Sequence, residues 1–112
     1  MSFEFETYTI KKLQANILDY RIGQPLTKNG VIELFDAIRG TSSASDYQVG
    51  ITCDIDRREG EHDADFLAVI NCSDVEDANE LEKFAHTKGY YTGLLSGNAH
   101  KSESIYLYIF KR

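Results

Sequence analysis

The chain has 112 residues, of which 42% are hydrophobic, and it carries 12 basic against 18 acidic side chains for a net charge of −6. This length is typical of one domain with its own core, and the apolar runs are too short to span a membrane. The negative charge disfavours a protein that binds nucleic acid through a broad basic surface, because neutralising phosphates supplies much of that affinity.

The chain contains two cysteines, Cys53 and Cys72, and no segment with the charged, apolar and small-residue pattern of a secretion signal. We therefore expect reduced thiols and a cytoplasmic location. The spacing of the cysteines, without paired histidines, also disfavours a zinc site.

The alternation from Phe3 to Ile10 suggests a short strand or extended arm, and the residues that follow, up to position 40, predict mainly helices. The spacing of the apolar residues from Ile10 to Leu18 predicts a helix over about 9–20. The apolar residues from Val31 to Ile38 recur at i, i+3, i+4 and i+7, which predicts a second helix over about 28–39. Gly40 follows this pattern at the position where helices often end.

The rest of the chain alternates strands and helices. The predicted strands span about 46–53, 65–72 and 104–111, and the predicted helices span about 54–61 and 74–88. The uninterrupted apolar run from Phe66 to Ile70 indicates a central strand. We therefore predict a single α+β domain over residues 1–112, with a small mixed or antiparallel sheet flanked by helices.

The stretch from Val49 to His62 (VGITCDIDRREGEH) is the most informative part of the chain. It describes a strand that passes through Gly50, turns, and opens a short helix. Arg58 and His62 are four residues apart and therefore share one face of that helix. A guanidinium and an imidazole beside a strand glycine suit phosphate binding. On spacing alone, a solvated helix with salt-bridged arginines is the more common explanation.

This stretch resembles the second strand and first helix of the GIY-YIG nuclease superfamily. The matching positions, with isoleucine allowed for leucine at 55, are Val49, Gly50, Ile51, Thr52, Asp54, Ile55, Arg57, Arg58, Glu61 and His62. Downstream, Glu82 occupies the position of the metal-binding glutamate of that family, where an ordinary surface glutamate is the alternative. The resemblance covers about residues 46–93 and leaves 1–40 as an N-terminal helical extension outside it.

The chain departs from the family pattern at two tyrosine positions. The family's first strand has no counterpart between Gly40 and Tyr47, so the C-terminal strand is the only candidate. If that strand pairs beside residues 47–53, the sheet is a circular permutation of the family's sheet, with Tyr106 at the first tyrosine position. The second tyrosine position is Gln48, which cannot take part in acid–base catalysis.

The resemblance implies a divalent-metal-dependent endonuclease or phosphodiesterase site. In that site Tyr106 would be the general base or its relay, Arg58 the phosphate clamp and His62 the proton shuttle. Glu82 would be the ligand for Mg²⁺ or Mn²⁺, the only cofactor implied. Glutamine at position 48 and the net negative charge favour reduced or lost activity on nucleic acid. Packing within the sheet alone would also explain Tyr106, which shares a strand face with Tyr108.

The alternative is a non-catalytic acidic module, such as a bacterial or phage accessory or inhibitor protein, that binds a basic protein partner. The carboxylates that favour it cluster around one predicted strand and helix: Asp63, Asp65, Asp74, Glu76, Asp77, Glu80 and Glu82. Neither hypothesis involves a membrane, and neither determines the oligomeric state.

Overall fold

The computed structural model describes residues 8–14, 17–92 and 105–112. Its helices and strands are, in chain order, β1 (Tyr8–Leu13), β2 (Pro25–Leu26), α1 (Lys28–Arg39), β3 (Tyr47–Thr52), α2 (Ile55–His62), β4 (Ala68–Asn71), α3 (Val75–Thr87) and β5 (Tyr106–Lys111). The strands form one antiparallel sheet in the order β2-β1-β4-β5-β3. The predicted α+β class is therefore confirmed. None of the helices within the described ranges combines the length and the apolar character needed to cross a membrane.

The predicted helix over 9–20 is wrong, because the chain forms strand β1 there. Tyr8 and Ile10 are buried while Lys11 is exposed, so the burial follows the two-residue period of a strand. The helical spacing depended on Leu18, whose side chain is 93% exposed and contributes nothing to the core. Residues 15–16 of that prediction lie outside the described residues.

The N-terminal part is consequently not a helical extension of the domain. Strand β1 pairs with β4 on one side and with β2 on the other, so it belongs to the sheet. Helix α1 spans Lys28–Arg39, the range that the sequence predicted. Thr27 begins this helix by accepting a hydrogen bond from the Gly30 backbone at 3.0 Å.

The remaining predicted elements agree with the structure to within three residues at each end. The largest difference is in the strand predicted over 65–72, which is confined to Ala68–Asn71. Helix α2 begins and ends one residue later than predicted, and helix α3 is one residue shorter than predicted at each end. Residue 104, the first of the predicted C-terminal strand, lies outside the described residues.

Strand β5 lies beside β3, the position considered for it in the sequence analysis. The two strands pair along their whole length, from Tyr47 opposite Lys111 to Thr52 opposite Tyr106. In this register Gly50 lies opposite Tyr108 rather than Tyr106. Strand β4 pairs with the other edge of β5, so β5 is a central strand.

The sheet has two differently covered faces. The core face packs against α1 and α3 and is apolar, with Val49, Ile51, Leu107 and Ile109 fully or almost fully buried. The α2 face carries a smaller cluster whose buried members are Phe66, Val69, Tyr108 and Phe110. Helix α2 itself has no buried residue. Arg58 and His62 of α2 lie on this second face.

Candidate functional site

The turn between β3 and α2 positions the motif helix over the sheet. The Thr52 hydroxyl accepts a hydrogen bond from the Asp54 backbone at 3.0 Å. The Asp54 carboxylate then accepts one from the Arg57 backbone at 3.1 Å, which satisfies a free N–H at the start of α2. The threonine and aspartate of the motif therefore determine where α2 begins. Arg58 and His62 consequently lie on successive turns of one helix face.

Tyr108 lies at the centre of the α2 face and is 1% exposed. Its ring stacks on Phe66 with the centroids 4.1 Å apart and the planes 5° from parallel. The phenol passes directly over Gly50, where an added Cβ would overlap the tyrosine hydroxyl and lie 2.5 Å from Cζ. Only glycine at position 50 therefore leaves room for this tyrosine.

His62 contacts the hydroxyl of Tyr108. Its Nε2 lies 3.1 Å from the tyrosine oxygen, and its ring centroid lies 4.7 Å from that of Phe110. Burial lowers the pKa of His62, and the positive charge of Arg58 lowers it further. The imidazole is therefore neutral at neutral pH. With the proton on Nδ1, it accepts the hydrogen bond of the phenol.

Arg58 approaches the same hydroxyl from the preceding turn of α2. Its Nη1 donates to Glu61 Oε1 at 2.8 Å, and this hydrogen bond is the main cause of its raised pKa. Interaction with Tyr108 contributes to the same shift. The arginine side chain is 36% exposed, so its remaining donors can reach a ligand in solution. Glu61 thus holds the guanidinium beside Tyr108 without enclosing it.

Glu82 lies on α3 and is only 9% exposed. Burial raises the pKa of its carboxyl to about 7, although the positive charge of Arg58 lowers it. Glu82 also raises the pKa of Tyr108, after the larger effect of burial on that phenol. Glu82 is thus a buried acid that interacts electrostatically with the α2 cluster, unlike an ordinary surface glutamate.

The donor set suits a hydrated divalent cation. In the described parts of the chain, no group of three or more His, Cys, Asp and Glu side chains could enclose a metal ion. A cation at Glu82 would therefore be held by one carboxylate and by water. This arrangement fits Mg²⁺, which prefers oxygen ligands and keeps much of its hydration shell.

The structure brings two of the four residues predicted for the site, Arg58 and His62, to one point, and it places a third, Glu82, where its charge acts on that point. Arg58 and His62 meet at Tyr108, and Glu82 interacts with this cluster through its charge. Tyr106 lies two pairs further along the strand than Tyr108, opposite Thr52, with the Lys11 ammonium 5.9 Å from its ring centroid. It is half-buried and packs at the border of the α2 cluster.

Sequence reasoning missed Tyr108, although it offered a signal. Tyr106 and Tyr108 share a strand face, and only one of them can lie opposite Gly50. A glycine inside a strand often marks the close approach of another group, which predicts a large side chain across from it. The register between β3 and β5 was needed to decide which tyrosine that is.

Comparisons of the chain with protein-family models, curated proteins and solved structures gave no match.

Proposed function

We propose that this domain is a GIY-YIG-like, metal-dependent phosphodiesterase of reduced activity that acts on nucleic acid. The observation that supports the proposal best is the convergence of Arg58 and His62 on Tyr108, together with a buried carboxylate on α3, Glu82, whose charge acts on Arg58 and Tyr108. These residues come from α2, β5 and α3, and their chemical types are those that phosphoryl transfer requires: a cation, a proton relay and a metal ligand.

The first step in this proposal is activation of water by Tyr108 and His62. The raised pKa of Tyr108 keeps the phenol neutral, and the lowered pKa of His62 keeps the imidazole free to accept a proton. As water attacks phosphorus, the phenol oxygen accepts the water proton and its own proton passes to Nε2, 3.1 Å away. The bond from phosphorus to the leaving sugar oxygen breaks in the same step, and that oxygen takes a proton from solvent. The pair therefore acts as a relay and needs no tyrosinate at neutral pH.

Arg58 provides the second contribution. Its guanidinium carries a fixed positive charge and donors in a planar fork that matches phosphate oxygens. Glu61 holds it in place before substrate binds, so little reorganisation is needed as negative charge grows on the phosphate. Arg58 is thus the phosphate clamp of the site.

Glu82 provides the third contribution, as the carboxylate that would hold the divalent cation. A bound Mg²⁺ would polarise a phosphate oxygen as a Lewis acid. The low exposure of Glu82 strengthens its attraction for a cation, because charges interact more strongly away from bulk water.

The reduction in activity follows from Gln48. Its side chain lies on the same strand face as Gly50 and opposite Phe110, where the family carries its second tyrosine. An amide neither gains nor loses a proton in acid–base chemistry. Loss of one such group slows a reaction by about 10²–10⁴-fold.

The decisive test is hydrolysis of end-labelled single-stranded and double-stranded DNA and RNA with Mg²⁺ or Mn²⁺. We expect cleavage that EDTA stops and that Glu82→Gln slows by about 10²-fold or more. Glu80→Gln is the matched control, because Glu80 is exposed on the same helix and loses the same charge. Absence of metal-dependent cleavage by the wild type, or equal rates in both variants, would contradict the proposal.

One observation favours the second candidate, a non-catalytic module that binds a basic protein. The carboxyl of Asp77 has a raised pKa, first because of burial and then because of Asp74, Glu80 and Glu76. This end of α3 therefore carries a concentrated negative potential. A module of this kind would bind polylysine in a salt-sensitive manner and lose that binding in the double variant Glu76→Gln, Glu80→Gln. Arg58→Ala would leave it unchanged.

A further inference from the structure

Tyr91 and Arg112 form a stacked pair at the outer edge of β3. The guanidinium carbon of Arg112 lies 3.7 Å from the centroid of the Tyr91 ring. The tyrosine is 40% exposed, which makes it one of the most exposed large hydrophobic residues among those described. The pair therefore presents an aromatic ring and a planar cation to solvent.

Backbone hydrogen bonds hold both members of this pair. The Tyr91 N–H donates to the Tyr47 carbonyl at 3.0 Å, and the Tyr91 carbonyl accepts from Val49 at 2.8 Å. The Arg112 N–H donates to the Asp46 carbonyl at 2.8 Å, and its Nη1 donates to the Ser45 carbonyl at 3.1 Å. The pair is thus preorganised, which lowers the entropic cost of binding a ligand there.

The pair lies on the same side of the sheet as the candidate site. Side chains alternate along β5, so Arg112 shares the face of Tyr108. Tyr90 packs against Phe35 in the core, and the next residue, Tyr91, therefore points away from it. Asp46, the partner of Arg112, precedes Gly50 by four residue steps along extended chain, a distance of about 13 Å. A short stretch of single-stranded nucleic acid spans this distance.

We propose that Tyr91 and Arg112 form a base-stacking platform for single-stranded nucleic acid whose backbone continues along the α2 face to Arg58. This inference rests on the proposed function, because it names the substrate class of that site. Exposed aromatic rings and guanidinium planes stack unpaired bases irrespective of sequence, and the arginine charge attracts the adjacent phosphate. A duplex keeps its bases inside its own stack and offers none to the platform.

The charge of the pair suits this role. Among the described residues, no carboxylate lies within ion-pair distance of Arg112, whereas Arg57 and Arg58 are both bound to Glu61. The platform therefore provides a local positive charge on a chain with a net charge of −6. A localised cation of this kind is compatible with binding a single strand at low salt and with weak binding at high salt.

The test is fluorescence anisotropy with labelled oligothymidylate and with a duplex of the same length, in EDTA, so that metal binding plays no part. We expect Tyr91→Leu and Arg112→Ala each to weaken binding of the single strand by about tenfold. Tyr91→Phe keeps the ring and retains binding. Lys111→Ala is the matched control, because it removes the same charge from the neighbouring exposed residue on the opposite face.

Two results would overturn the platform: a wild-type protein that binds the duplex better than the single strand or binds neither, and a Tyr91→Leu variant that binds as the wild type does. A cleavage assay separates failure of the platform proposal from failure of the proposed function. If only the platform proposal is wrong, metal-dependent cleavage persists and Tyr91→Leu leaves the cleavage rate on long strands unchanged. If only the phosphodiesterase proposal is wrong, single strands still bind through Tyr91 and are never cut.

Discussion

The two faces of the sheet use the same strands for different purposes. On the core face, β5 contributes Leu107 and Ile109 to a continuous apolar layer beneath α1 and α3. On the α2 face, it contributes Tyr108, whose hydroxyl meets His62 and interacts with Arg58. The two-residue period of a strand allows one segment to stabilise the fold on one side and to carry polar groups on the other.

The covering helices differ in the same way. Helix α1 buries Val31, Leu34 and Phe35, whereas α2 buries none of its residues. Polar contacts hold α2 in place instead: Glu59 accepts from the Lys12 ammonium and from the Phe66 backbone, both at 2.8 Å. The Lys12 hydrogen bond is the main cause of the lowered pKa of Glu59. Helix α2 is thus held by these polar contacts together with the partly buried Ile55 and the ring of His62, and the guanidinium of Arg58 remains available for binding.

The strongest loss of activity is expected when the guanidinium of Arg58 is removed. We expect Arg58→Ala to slow metal-dependent cleavage by about 10²–10³-fold, because the growing charge on the phosphate loses its clamp. Stability should change by less than about 1 kcal/mol, since the lost ion pair with Glu61 is at the surface. Single-turnover rates and denaturant melts measure the two quantities.

The matched control for this variant is Arg57→Ala. Arg57 also binds Glu61, at 2.9 Å, and its side chain is 54% exposed. The Arg57→Ala variant should retain nearly full metal-dependent cleavage activity. Equal losses in the two variants would mean that α2 contributes general positive charge rather than one positioned guanidinium.

The next largest effect concerns the core face. Leu34 is fully buried on α1, so Leu34→Ala should lower the free energy of unfolding by about 2–5 kcal/mol. Cleavage per folded molecule should remain unchanged, because α1 contributes no residue to the site. Leu18→Ala, at a position that is 93% exposed, should change stability by less than about 0.5 kcal/mol. Loss of activity in folded Leu34→Ala would show that the two faces are not independent.

Gly50→Ala should lower both the stability of the fold and the rate of cleavage. The added Cβ would overlap the hydroxyl of Tyr108, which must move away from His62. We expect a loss of about 1–3 kcal/mol in stability from overpacking, together with slower cleavage. Combining the variant with Tyr108→Ala, which removes the clashing ring, should cancel most of the cost of the alanine. A fully additive loss of stability in the double variant would exclude this contact as the cause.

The smallest effect concerns the pH dependence of stability at Glu82. Burial raises its pKa from 4.5 to about 7, so the native state holds this proton more tightly than the unfolded chain does. The stability contributed by the protonated acid is present below about pH 4.5 and is lost as the pH rises through about 7. Without metal, Glu82→Gln should therefore exceed the wild type in stability by about 1–3 kcal/mol above pH 7, and by less at pH 4. If the denaturant midpoints of the wild type and of Glu82→Gln differ by the same amount at every pH in this range, a destabilising buried carboxylate at position 82 is excluded.

Local signals predicted the parts of the fold that depend on local physics. Helix α1 has a regular apolar period and a following glycine, and its predicted limits are those of the structure. Strand β1 overlaps the helix that was predicted over 9–20. The alternation that ends at Ile10 indicated a strand or extended arm, but Leu18 produced helical spacing without being buried, and the pairing with β4 shows the strand. The choice between Tyr106 and Tyr108 depends on a register between strands far apart in the chain. The low exposure of Glu82 likewise results from tertiary packing.

The most direct test of the α2 site compares Tyr108→Phe with Tyr106→Phe in single-turnover cleavage of labelled single-stranded DNA in the presence of Mg²⁺. Each variant removes one hydroxyl and keeps its ring, so the stacking of Tyr108 on Phe66 is preserved. If the relay runs through the hydroxyl that contacts His62, Tyr108→Phe should be slower than the wild type by about 10²-fold or more. Tyr106→Phe should then cleave at close to the wild-type rate. A rate lost only in Tyr106→Phe, or the same rate in both variants and the wild type, would contradict the account.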